Sequence, residues 1–461
     1  MECNVILLAA GKGTRMMSQK SNVSKVSMPL LGVPMVRWVI EATKPLHPET
    51  IVTVVGYGGD SIRPLVEGDA EVVVQEEQKG TADAVRCAKS ILKDKKGVAI
   101  VVSGDRPLLR DKTLAALLSA HEANHDTMTI LSALEGEVGK IVKENGRVLR
   151  ITKTKNDPSA KDCKESNLGV YAFDNQELFK AIEALKPDVG GEYHLADLAE
   201  VFASEGKKVS SFVIADPLEA NGVNDRLQLS NAIAVLQDRI NRKLMLSGVT
   251  IEDPRTTYVG PNVRIEPDTV LRPNTHIYGD SEIGEGNSIG PGTYLENVKI
   301  GDNNVIEYCH LVDTIVEGNT TLGPYLRTRK NTILRNGVHI GNFNELKNVD
   351  FGEGSKCAHL SYLGDSTFGK EVNVGCGSIV ANYDGVNKFR SDVGDHAFIG
   401  SGTILVSPVH VEDYGFTAAG STITEDVPAH SMAIARARQV NKDGLADTFH
   451  EKALAKKSVK K

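Results

Sequence analysis

Two glycines and two cations near the start of the chain have the types and spacing of a phosphate-binding loop. Gly11 and Gly13 directly follow a short apolar run with the character of a buried strand. Glycines in such a turn let backbone N–H groups approach a phosphate with no side chain in the way. Arg15 and Lys25 could neutralise the charge that builds up on a triphosphate during substitution. The pattern therefore favours phosphoryl transfer, with a plain structural turn as the alternative.

The glycine-rich loop does not fit two familiar phosphate-binding motifs. A Walker loop would need glycine at the position of Ile6, and a dinucleotide fingerprint would need glycine at the position of Met16. The loop is thus neither of these motifs, and its interpretation depends on the residues around it.

Asp105 is the acidic candidate in the same half of the chain. It follows the apolar run Val98–Val102, which has the character of a buried strand. Ligands of α/β proteins bind at the carboxyl ends of such strands. An Asp after a strand is also commonly a helix cap, so both interpretations stay open here.

A second group of polar residues lies in three segments of the C-terminal half. These are GNFNELK from Gly341, HLSYLGD from His359 and NYDGVNKF from Asn382. Their density interrupts a repeat that otherwise buries aliphatic side chains, which indicates a site. A neutral imidazole near pH 7 is a suitable general base, although an isolated histidine is more often a surface or structural residue.

The size and charge of the chain limit what these sites can bind. Its 461 residues fit two domains that each bury a core. Hydrophobic residues make up 41% and charged residues 25%, as is typical of folded globular proteins. A formal net charge of -7 argues against nucleic acid or a membrane as the main partner.

The cysteines and the N-terminus predict a cytoplasmic protein. The six cysteines are scattered without disulfide or metal-ligand spacing, which favours free thiols in a reducing compartment. Glu2 stands where a signal peptide would carry basic charge, and the first apolar run is too short to span a membrane.

The first half of the chain alternates strand-like apolar runs with segments of helical periodicity. The apolar runs are Val5–Leu8, Ile51–Val55, Val72–Gln75, Val98–Ser103 and Thr129–Ser132. This alternation predicts a mostly parallel sheet covered by helices, in an α/β domain over residues 1–225. The segment from Arg226 lacks glycine and proline and repeats apolar residues at helical spacing, so we expect a linker helix over residues 226–247.

The chain after this helix has a six-residue aliphatic repeat. Its first positions are Val259, Ile265, Leu271, Ile277, Ile283, Ile289 and Leu295. After a less regular section around residues 319–341, it resumes at Phe368, Val374, Val380, Ile399, Leu405, Val411, Thr417 and Ile423. Three six-residue sides make one triangular coil, and stacked coils bury the aliphatic residues. We expect a parallel β-helix over residues 248–461, with an exposed basic helix from Asp447.

The motifs of the first half together resemble the sugar-1-phosphate nucleotidyltransferases. They are LAAGKGTRM, Lys25, Gln75, Gly80-Thr81 and Ser103-Gly104-Asp105. The resemblance implies catalytic cations at Arg15 and Lys25 and a Mg²⁺ ion held by the oxygen ligands of Asp105 and Asn224. The nucleotide-binding residues that it implies are Leu8, Ala9, Ala10, Gly11, Gln75, Gly80, Thr81, Ser103 and Gly104.

The same resemblance implies a sugar site with one departure. Gly139 and Asn167 match positions that contact N-acetylglucosamine in the family. Lys153 stands where the family usually has a glutamate that accepts a hydroxyl proton. An ammonium group only donates hydrogen bonds, so this contact is not carried over, and the sugar preference stays open.

The polar segments of the second half resemble the glucosamine-1-phosphate N-acetyltransferases, which are left-handed parallel β-helices of the hexapeptide acyltransferase class. The resemblance implies that His359 is the general base, assisted by Glu345. It implies that Arg327 and Lys347 grip the sugar phosphate and that Tyr362 and Asn373 hold the sugar. The acetyl-CoA residues that it implies are Cys376, Asn382, Tyr383, Ser401, Ala419 and Arg436.

Taken together, the chain is similar along nearly its whole length to the bifunctional UDP-N-acetylglucosamine pyrophosphorylases. The resemblance implies acetyl transfer from acetyl-CoA to glucosamine-1-phosphate, then uridylyl transfer from UTP, in a homotrimer. Cys376 stands where the family usually has alanine, so we expect no acyl-enzyme. Two alternatives remain: a nucleotidyltransferase for another sugar with a regulatory or oligomerising β-helix, and a non-enzymatic β-helix assembly protein.

Overall fold

The computed structural model describes residues 2–17, 23–134, 139–152 and 157–458. These residues form two compact units. The first unit contains the described residues up to Leu246 together with Pro254–Asn262, and the second contains Ser247–Asp253 and the residues from Val263 onward.

The first unit is built on a mostly parallel sheet, as predicted. From one edge to the other, the strands are Val209–Val213, Met128–Ala133, Ser166–Asp174, Val98–Ser103, Cys3–Ala9, Thr50–Val55 and Glu71–Val74. Only Ser166–Asp174 runs antiparallel to both of its neighbours in this order. The antiparallel strands Lys140–Glu144 and Arg147–Thr152 extend the sheet, and Pro29–Leu30 pairs with Val33–Pro34 in a separate hairpin.

The helices of this unit lie between its strands in sequence, except for Arg226–Leu246, which follows the last strand of the sheet. They are Met35–Thr43, Arg63–Val66, Thr81–Cys87, Lys89–Leu92, Asp111–Asn124, Asn175–Ala181, Leu198–Ser204 and Arg226–Leu246. The central strands Cys3–Ala9 and Val98–Ser103 are buried along nearly their whole length, because helices exclude water from both faces of a parallel sheet.

The predicted linker helix runs from Arg226 to Leu246 and belongs to the first unit. Asp225 caps its start by accepting a hydrogen bond from the Gln228 N–H at 2.8 Å. Gln228 in turn accepts from the backbone N–H of Asn224 at 2.7 Å. This reciprocal pair fixes the backbone of residue 224 at the entrance to the helix.

The second unit is a left-handed parallel β-helix, as predicted. One face contains Thr250–Ile251, Val270–Leu271, Ser288–Ile289, Val305–Ile306, Thr321–Leu322, His339–Asn342, Lys356–His359, Asn373–Val374, Phe398–Ile399, Phe416–Thr417 and Met432–Ala433. The strands of the other faces are Arg264–Ile265, His276–Tyr278, Glu282–Ile283, Tyr294–Glu296, Lys299–Ile300, His310–Val312, Thr314–Val316, Arg327–Arg329, Thr332–Leu334, Glu345–Phe351, Tyr362–Phe368, Ile379–Ala381, Ser391–Val393, Ile404–Val406, His410–Val411 and Thr422–Ile423. A further short strand, Tyr258–Val259, precedes them in sequence.

The six-residue repeat forms the core of the coils. All seven aliphatic residues from Val259 to Leu295 are buried, and so are the eight from Phe368 to Ile423. The repeat also continues through the section that we described as less regular, where Leu322, Thr328 and Leu334 are buried. Thr328 interrupts the aliphatic pattern there, and its buried hydroxyl is satisfied by a hydrogen bond with the Thr314 hydroxyl at 2.7 Å.

The C-terminal helix runs from Leu445 to Ser458, so the helix predicted from Asp447 is present and begins slightly earlier. Its described side chains, through Lys457, are exposed. No helix among the described residues is long and apolar enough to cross a membrane.

We predict that Ile300→Ala destabilises the β-helix by about 2–4 kcal/mol, because it removes buried methyl groups and leaves a cavity. Ile300 is 4% exposed and pairs with Ile283 and Val316 of the adjacent coils. Urea unfolding followed by far-UV circular dichroism measures the loss. The fluorescence of Trp38, the single tryptophan, follows the first unit separately.

The matched control is Lys299→Ala, which alters the exposed neighbour of Ile300 in the same short strand. Its effect should stay within about 0.5 kcal/mol. Equal losses for the two variants would contradict the assignment of the repeat to the core.

Two candidate active sites

The first unit contains a cleft of about 830 Å³ at the carboxyl ends of its central strands. Most of the predicted nucleotide- and sugar-site residues line it: Leu8, Ala9, Ala10, Gly11, Arg15, Lys25, Gln75, Gly80, Thr81, Ser103, Asp105, Asn167 and Asn224. Gly104 is buried and is not among the lining residues, and its N–H donates to the Leu8 carbonyl at 2.9 Å. Lys153 lies outside the described residues.

Lys25 is the centre of the polar network in this cleft. Its Nζ donates to Asp105 Oδ2 at 2.6 Å and to Asn224 Oδ1 at 3.1 Å. Asn224 Oδ1 also accepts from Arg15 Nη2 at 3.0 Å. Gly13 makes this approach possible, because a Cβ at that position would lie 2.9 Å from the Lys25 Cβ. The structure therefore brings together both predicted cations and both predicted metal ligands.

Asp105 is an ionised carboxylate that is partly buried in the wall of the cleft. Burial alone would raise its pKa, but the Lys25 ammonium and a hydrogen bond from Ser103 Oγ at 2.7 Å outweigh burial, and the pKa is lowered. The backbone holds Asn224 beside it, since the Val223 N–H donates to the Asp105 carbonyl at 2.8 Å.

The donor set at this point suits a hard divalent cation. A carboxylate oxygen of Asp105 and the amide oxygen of Asn224 already share one cationic group, the Lys25 ammonium. Two oxygens that converge on one positive charge are the kind of ligand pair that Mg²⁺ uses in phosphate sites, where it keeps several waters. The residues present therefore fit the predicted metal.

One end of the cleft is shaped by Gln75 and the turn before the helix Thr81–Cys87. Gln75 is buried, and its Nε2 donates to the Gly80 carbonyl at 3.1 Å and to Asp83 Oδ2 at 2.8 Å. Gly80 has a φ of 101° and packs so closely against Tyr193 that a side chain would collide with its carbonyl. The amide and backbone groups at this end are fixed and polar.

The other end of the cleft contains Asn167 and two residues that the sequence analysis did not assign. Asn167 Nδ2 donates to the Tyr171 hydroxyl at 2.7 Å. Burial raises the pKa of Tyr171 to about 12. Arg106 also lines the cleft and donates from Nη1 to the Ala220 carbonyl at 2.6 Å. Its position directly after Asp105 was the signal in the sequence. Gly139 supports this end, since its carbonyl accepts from the Asn167 N–H at 2.8 Å.

In the second unit, strand pairing stacks the predicted acceptor-site residues one coil above another. Arg327 pairs with Glu345, and Glu345 pairs with Tyr362. The adjacent column on the same strands contains Arg329 and Lys347. Side chains of paired parallel strands point the same way, so these residues share one face of the β-helix.

A concentration of positive charge lies on that face. The neighbouring Lys388 ammonium, followed by burial, lowers the pKa of Lys347. Arg329 lies in the paired strand and contacts Glu345 at 3.3 Å. Two ammonium groups in contact repel each other, and an anion between them would remove the repulsion. Lys388 was part of a segment singled out in the sequence but had no assigned role.

The predicted base has a different partner from the one expected. His359 is exposed, and its Nδ1 lies 3.1 Å from Asn342 Oδ1. Glu345, which we expected to assist it, makes its described ion pair with Arg329. Asn342 is therefore the residue in hydrogen-bond contact with the imidazole, and the sequence analysis missed it.

Four of the six predicted acetyl-CoA residues lie along one edge of successive coils: Cys376, Ser401, Ala419 and Arg436. The Gly402 N–H donates to the Cys376 carbonyl at 2.7 Å, and the Gly420 N–H donates to the Ser401 carbonyl at 2.8 Å. Ala419 and Arg436 continue this edge in the next coils. Cys376 is exposed, and its thiol is free.

The remaining predicted residues are distributed over two other parts of the β-helix. Asn382 is buried and donates to Asp365 Oδ2 at 2.5 Å, whereas Tyr383 is exposed beside it. Asn373 pairs with Lys356 and lies on a different face from Tyr362. The described chain therefore brings Arg327, Lys347 and Tyr362 to one face but not Asn373.

Comparison with known proteins assigns both units. Residues 5–201 match the family model of the MobA-like NTP transferase domain. Residues 256–297 match the model of the bacterial transferase hexapeptide with six repeats.

Relatives match the chain over almost their whole length. A protein of Brevibacillus brevis is 42% identical, over 97% of this chain and 98% of the relative. Proteins of Geotalea uraniireducens and Staphylococcus haemolyticus are 42% and 43% identical, over 95% and 96% of this chain and 97% and 99% of the relatives. Each of the three carries the name Bifunctional protein GlmU. The chain therefore belongs to the family of bifunctional GlmU proteins.

Proposed function

We propose that this chain makes UDP-N-acetylglucosamine from glucosamine-1-phosphate in two steps. The second unit transfers an acetyl group from acetyl-CoA to the 2-amino group of glucosamine-1-phosphate. The first unit then joins the product to the α-phosphorus of UTP and releases pyrophosphate. The observation that carries the proposal is the convergence of Arg15, Lys25, Asp105 and Asn224 in one unit. The other unit contains the exposed His359 beside Asn342 and the paired cations Arg329 and Lys347.

In the uridylyl step, the chain binds and orients two anions. Arg15 and Lys25 offset the negative charge that the phosphates bring into the cleft. Asp105 and Asn224 would hold a Mg²⁺ ion, which supplies positive charge shared by the reacting phosphates. Lys25 then keeps the position of the two oxygen ligands by its hydrogen bonds to both. The sugar phosphate itself is the nucleophile, so no protein nucleophile is required.

The two ends of the cleft discriminate base from sugar. Gln75, Gly80 and Thr81 form the fixed polar end that reads the uracil. Asn167, held by Tyr171 and by Gly139, forms the end that receives the N-acetylglucosamine unit. Lys153 lies outside the described residues, so the sugar assignment rests on Asn167 and Gly139.

In the acetyl step, His359 acts as the general base on the 2-ammonium group or the attacking amine. Its exposed imidazole can reach a bound substrate. Arg327 and Lys347 bind the phosphate. Its negative charge lies between the Lys347 and Lys388 ammonium groups and removes their mutual repulsion. Tyr362 holds the sugar beside them. The amine attacks the thioester directly, and Cys376 remains a neighbour of the thioester.

The acetyl-CoA lies along the edge of stacked coils that contains Cys376, Ser401, Ala419 and Arg436. The small side chains of Ser401 and Ala419 leave backbone groups at this edge accessible to the pantetheine chain of acetyl-CoA. Arg436 offers a cation for the phosphates of acetyl-CoA. Asn382 and Tyr383 close the end nearest to the acceptor.

We further propose that the chain is a homotrimer. An exposed apolar stripe runs down one corner of four successive coils and contains Tyr308, Tyr325, Phe343 and Leu360. The Tyr325 and Phe343 rings stack with centroids 5.3 Å apart. Leu360 directly follows His359, so a copy packed on this stripe lies beside the base. An apolar patch of this kind indicates a protein interface.

We assign both reactions to the cytoplasm. All six cysteines have free thiols, including the exposed Cys376, as a reducing compartment favours.

We predict that the two activities can be removed one at a time. His359→Ala should lower acetyl transfer by about 100-fold or more, because a general base contributes roughly that much, and should leave uridylyl transfer within about twofold. Asp105→Ala should abolish Mg²⁺-dependent pyrophosphate release and leave acetyl transfer intact. Coupled assays of thiol release from acetyl-CoA and of pyrophosphate, with several sugar-1-phosphates, measure both.

The activity that each variant retains shows that the variant is folded. The assignment is wrong if either substitution removes both activities in folded protein. Pyrophosphate release that prefers another sugar-1-phosphate would support the alternative of a different nucleotidyltransferase.

We predict that Phe343→Asp dissociates the trimer and lowers acetyl transfer, while uridylyl transfer persists. A charge on the apolar stripe would be desolvated in the interface at a cost that the contact cannot offset. Light scattering coupled to size-exclusion chromatography measures the mass. The matched control is Tyr414→Asp: both residues have left-handed φ at exposed corners, with 56% and 53% exposure. A trimer that survives Phe343→Asp but not Tyr414→Asp would place the interface on the other corner.

A further inference from the structure

We propose that Asn342 is a positioning residue that fixes the tautomer of His359 and leaves Nε2 as the basic nitrogen. The inference rests on the proposed function, in which His359 is the base of the acetyl step. It adds a residue that the sequence analysis assigned no role, in place of the assistance expected from Glu345.

The contact between the two side chains is built into the register of the coils. The strands His339–Asn342 and Lys356–His359 are parallel, and Asn342 pairs with His359. The Leu360 N–H donates to the Asn342 carbonyl at 2.9 Å, so the pairing extends past the end of the strands. The two side chains consequently point the same way, and Asn342 Oδ1 lies 3.1 Å from His359 Nδ1.

A buried amide locks the two corners that follow this pair. Asn344 Nδ2 donates to the Gly341 carbonyl at 2.9 Å and to the Cys357 carbonyl at 3.0 Å. Its Oδ1 accepts from the Ser361 N–H at 3.0 Å. Asn344 is 2% exposed, so water does not compete for these bonds. The relative position of residues 342 and 359 is therefore fixed by the backbone bond between Leu360 and Asn342 and by the bonds of the Asn344 side-chain amide.

Close approach of the two strands depends on Gly341. A Cβ at this position would collide with the carbonyl of Ala358, the residue before His359. The glycine therefore allows the two strands to pack at the separation that the hydrogen bond between the side chains needs.

The chemistry of the pair follows from the acceptor. An amide oxygen has lone pairs and no proton, so the bond requires the hydrogen to be on Nδ1. A neutral imidazole carries one proton, so Nε2 then holds the free lone pair that can accept a proton from the substrate. Without the acceptor, the ring divides between two tautomers and several orientations, and part of the population cannot act.

The amide is also a neutral partner. A carboxylate at residue 342 would orient the ring equally well but would favour its protonated form. The other titratable side chains on the paired strands are His339, Lys356 and the buried Cys357, whose pKa burial raises to about 11, and Cys376 lies in the following coil. Glu345 and Tyr362 begin the strands after the two corners. These groups are unchanged when residue 342 is replaced, so a shift in pH dependence reports on residue 342.

The test compares Asn342→Leu and Asn342→Asp with a matched control. Asn336→Leu removes the acceptor of another exposed amide bond in the same unit, from Asn319 Nδ2 to Asn336 Oδ1 at 3.0 Å. Uridylyl transfer and the mass of the assembly verify that each variant is folded. The readouts are kcat, KM for acetyl-CoA and the pH profile of kcat/KM for acetyl transfer.

We expect Asn342→Leu to lower kcat by roughly 10- to 100-fold with KM for acetyl-CoA within about twofold, because the loss affects proton transfer rather than binding. Asn342→Asp should recover most of kcat at high pH and move the acid limb of the pH profile up by about one unit. Asn336→Leu should match the unaltered protein.

Two results would overturn the inference. One is an Asn342→Leu variant with the rate and pH profile of Asn336→Leu. The other is an equal loss in Asn342→Leu and Asn342→Asp with no shift in pH profile, which would indicate a merely structural contact. If His359→Ala itself retained acetyl transfer, the proposed base would be wrong, and that failure is distinct from these two.

Discussion

Parallel pairing of strands is the constraint on which both sites depend. In the first unit, parallel strands end at the same edge, so the loop after Cys3–Ala9 and the acidic turn after Val98–Ser103 face one cleft. In the second unit, each strand pairs with its equivalent in the next coil, so residues about one coil apart in sequence become neighbours in space. Strand pairing alone therefore places Arg327, Glu345 and Tyr362 side by side on one face.

Buried and partly buried hydrogen bonds turn this pairing into precise positions. The Lys25 ammonium joins Asp105 to Asn224, and the attraction keeps Asp105 ionised despite its partial burial. In the β-helix, the neutral side chain of Asn344 fixes two corners. Its amide donates to the carbonyls of Gly341 and Cys357 and accepts from the Ser361 N–H. A polar group placed in a coil interior is stable only when its donors and acceptors are satisfied, and that requirement fixes the corners.

Much of the fold could be predicted from the sequence, because burial leaves a period in it. The six-residue repeat from Val259 to Leu295 corresponds to buried positions throughout. The six-residue spacing is lost where coils are shorter than three full sides, as from Ile283 to Ile300 and Val316, and the aliphatic pattern is interrupted where the buried residue is Thr328. Most of the cleft residues were predicted from their motifs, whereas Arg106 was missed although it directly follows Asp105 in the chain.

The sequence by itself determined the fold class of each unit and the segments that contain the candidate site residues. Glycine-rich turns, apolar repeats and polar insertions are local features, so they can be identified along the chain. Only the tertiary structure decided which of those side chains touch. It paired His359 with Asn342 rather than with Glu345, and it put Asn373 on a different face from Tyr362. The reason is physical: hydrogen-bond partners depend on the exact register between coils, which changes from coil to coil, and on the direction of each side chain, so spacing along the chain indicates them only approximately.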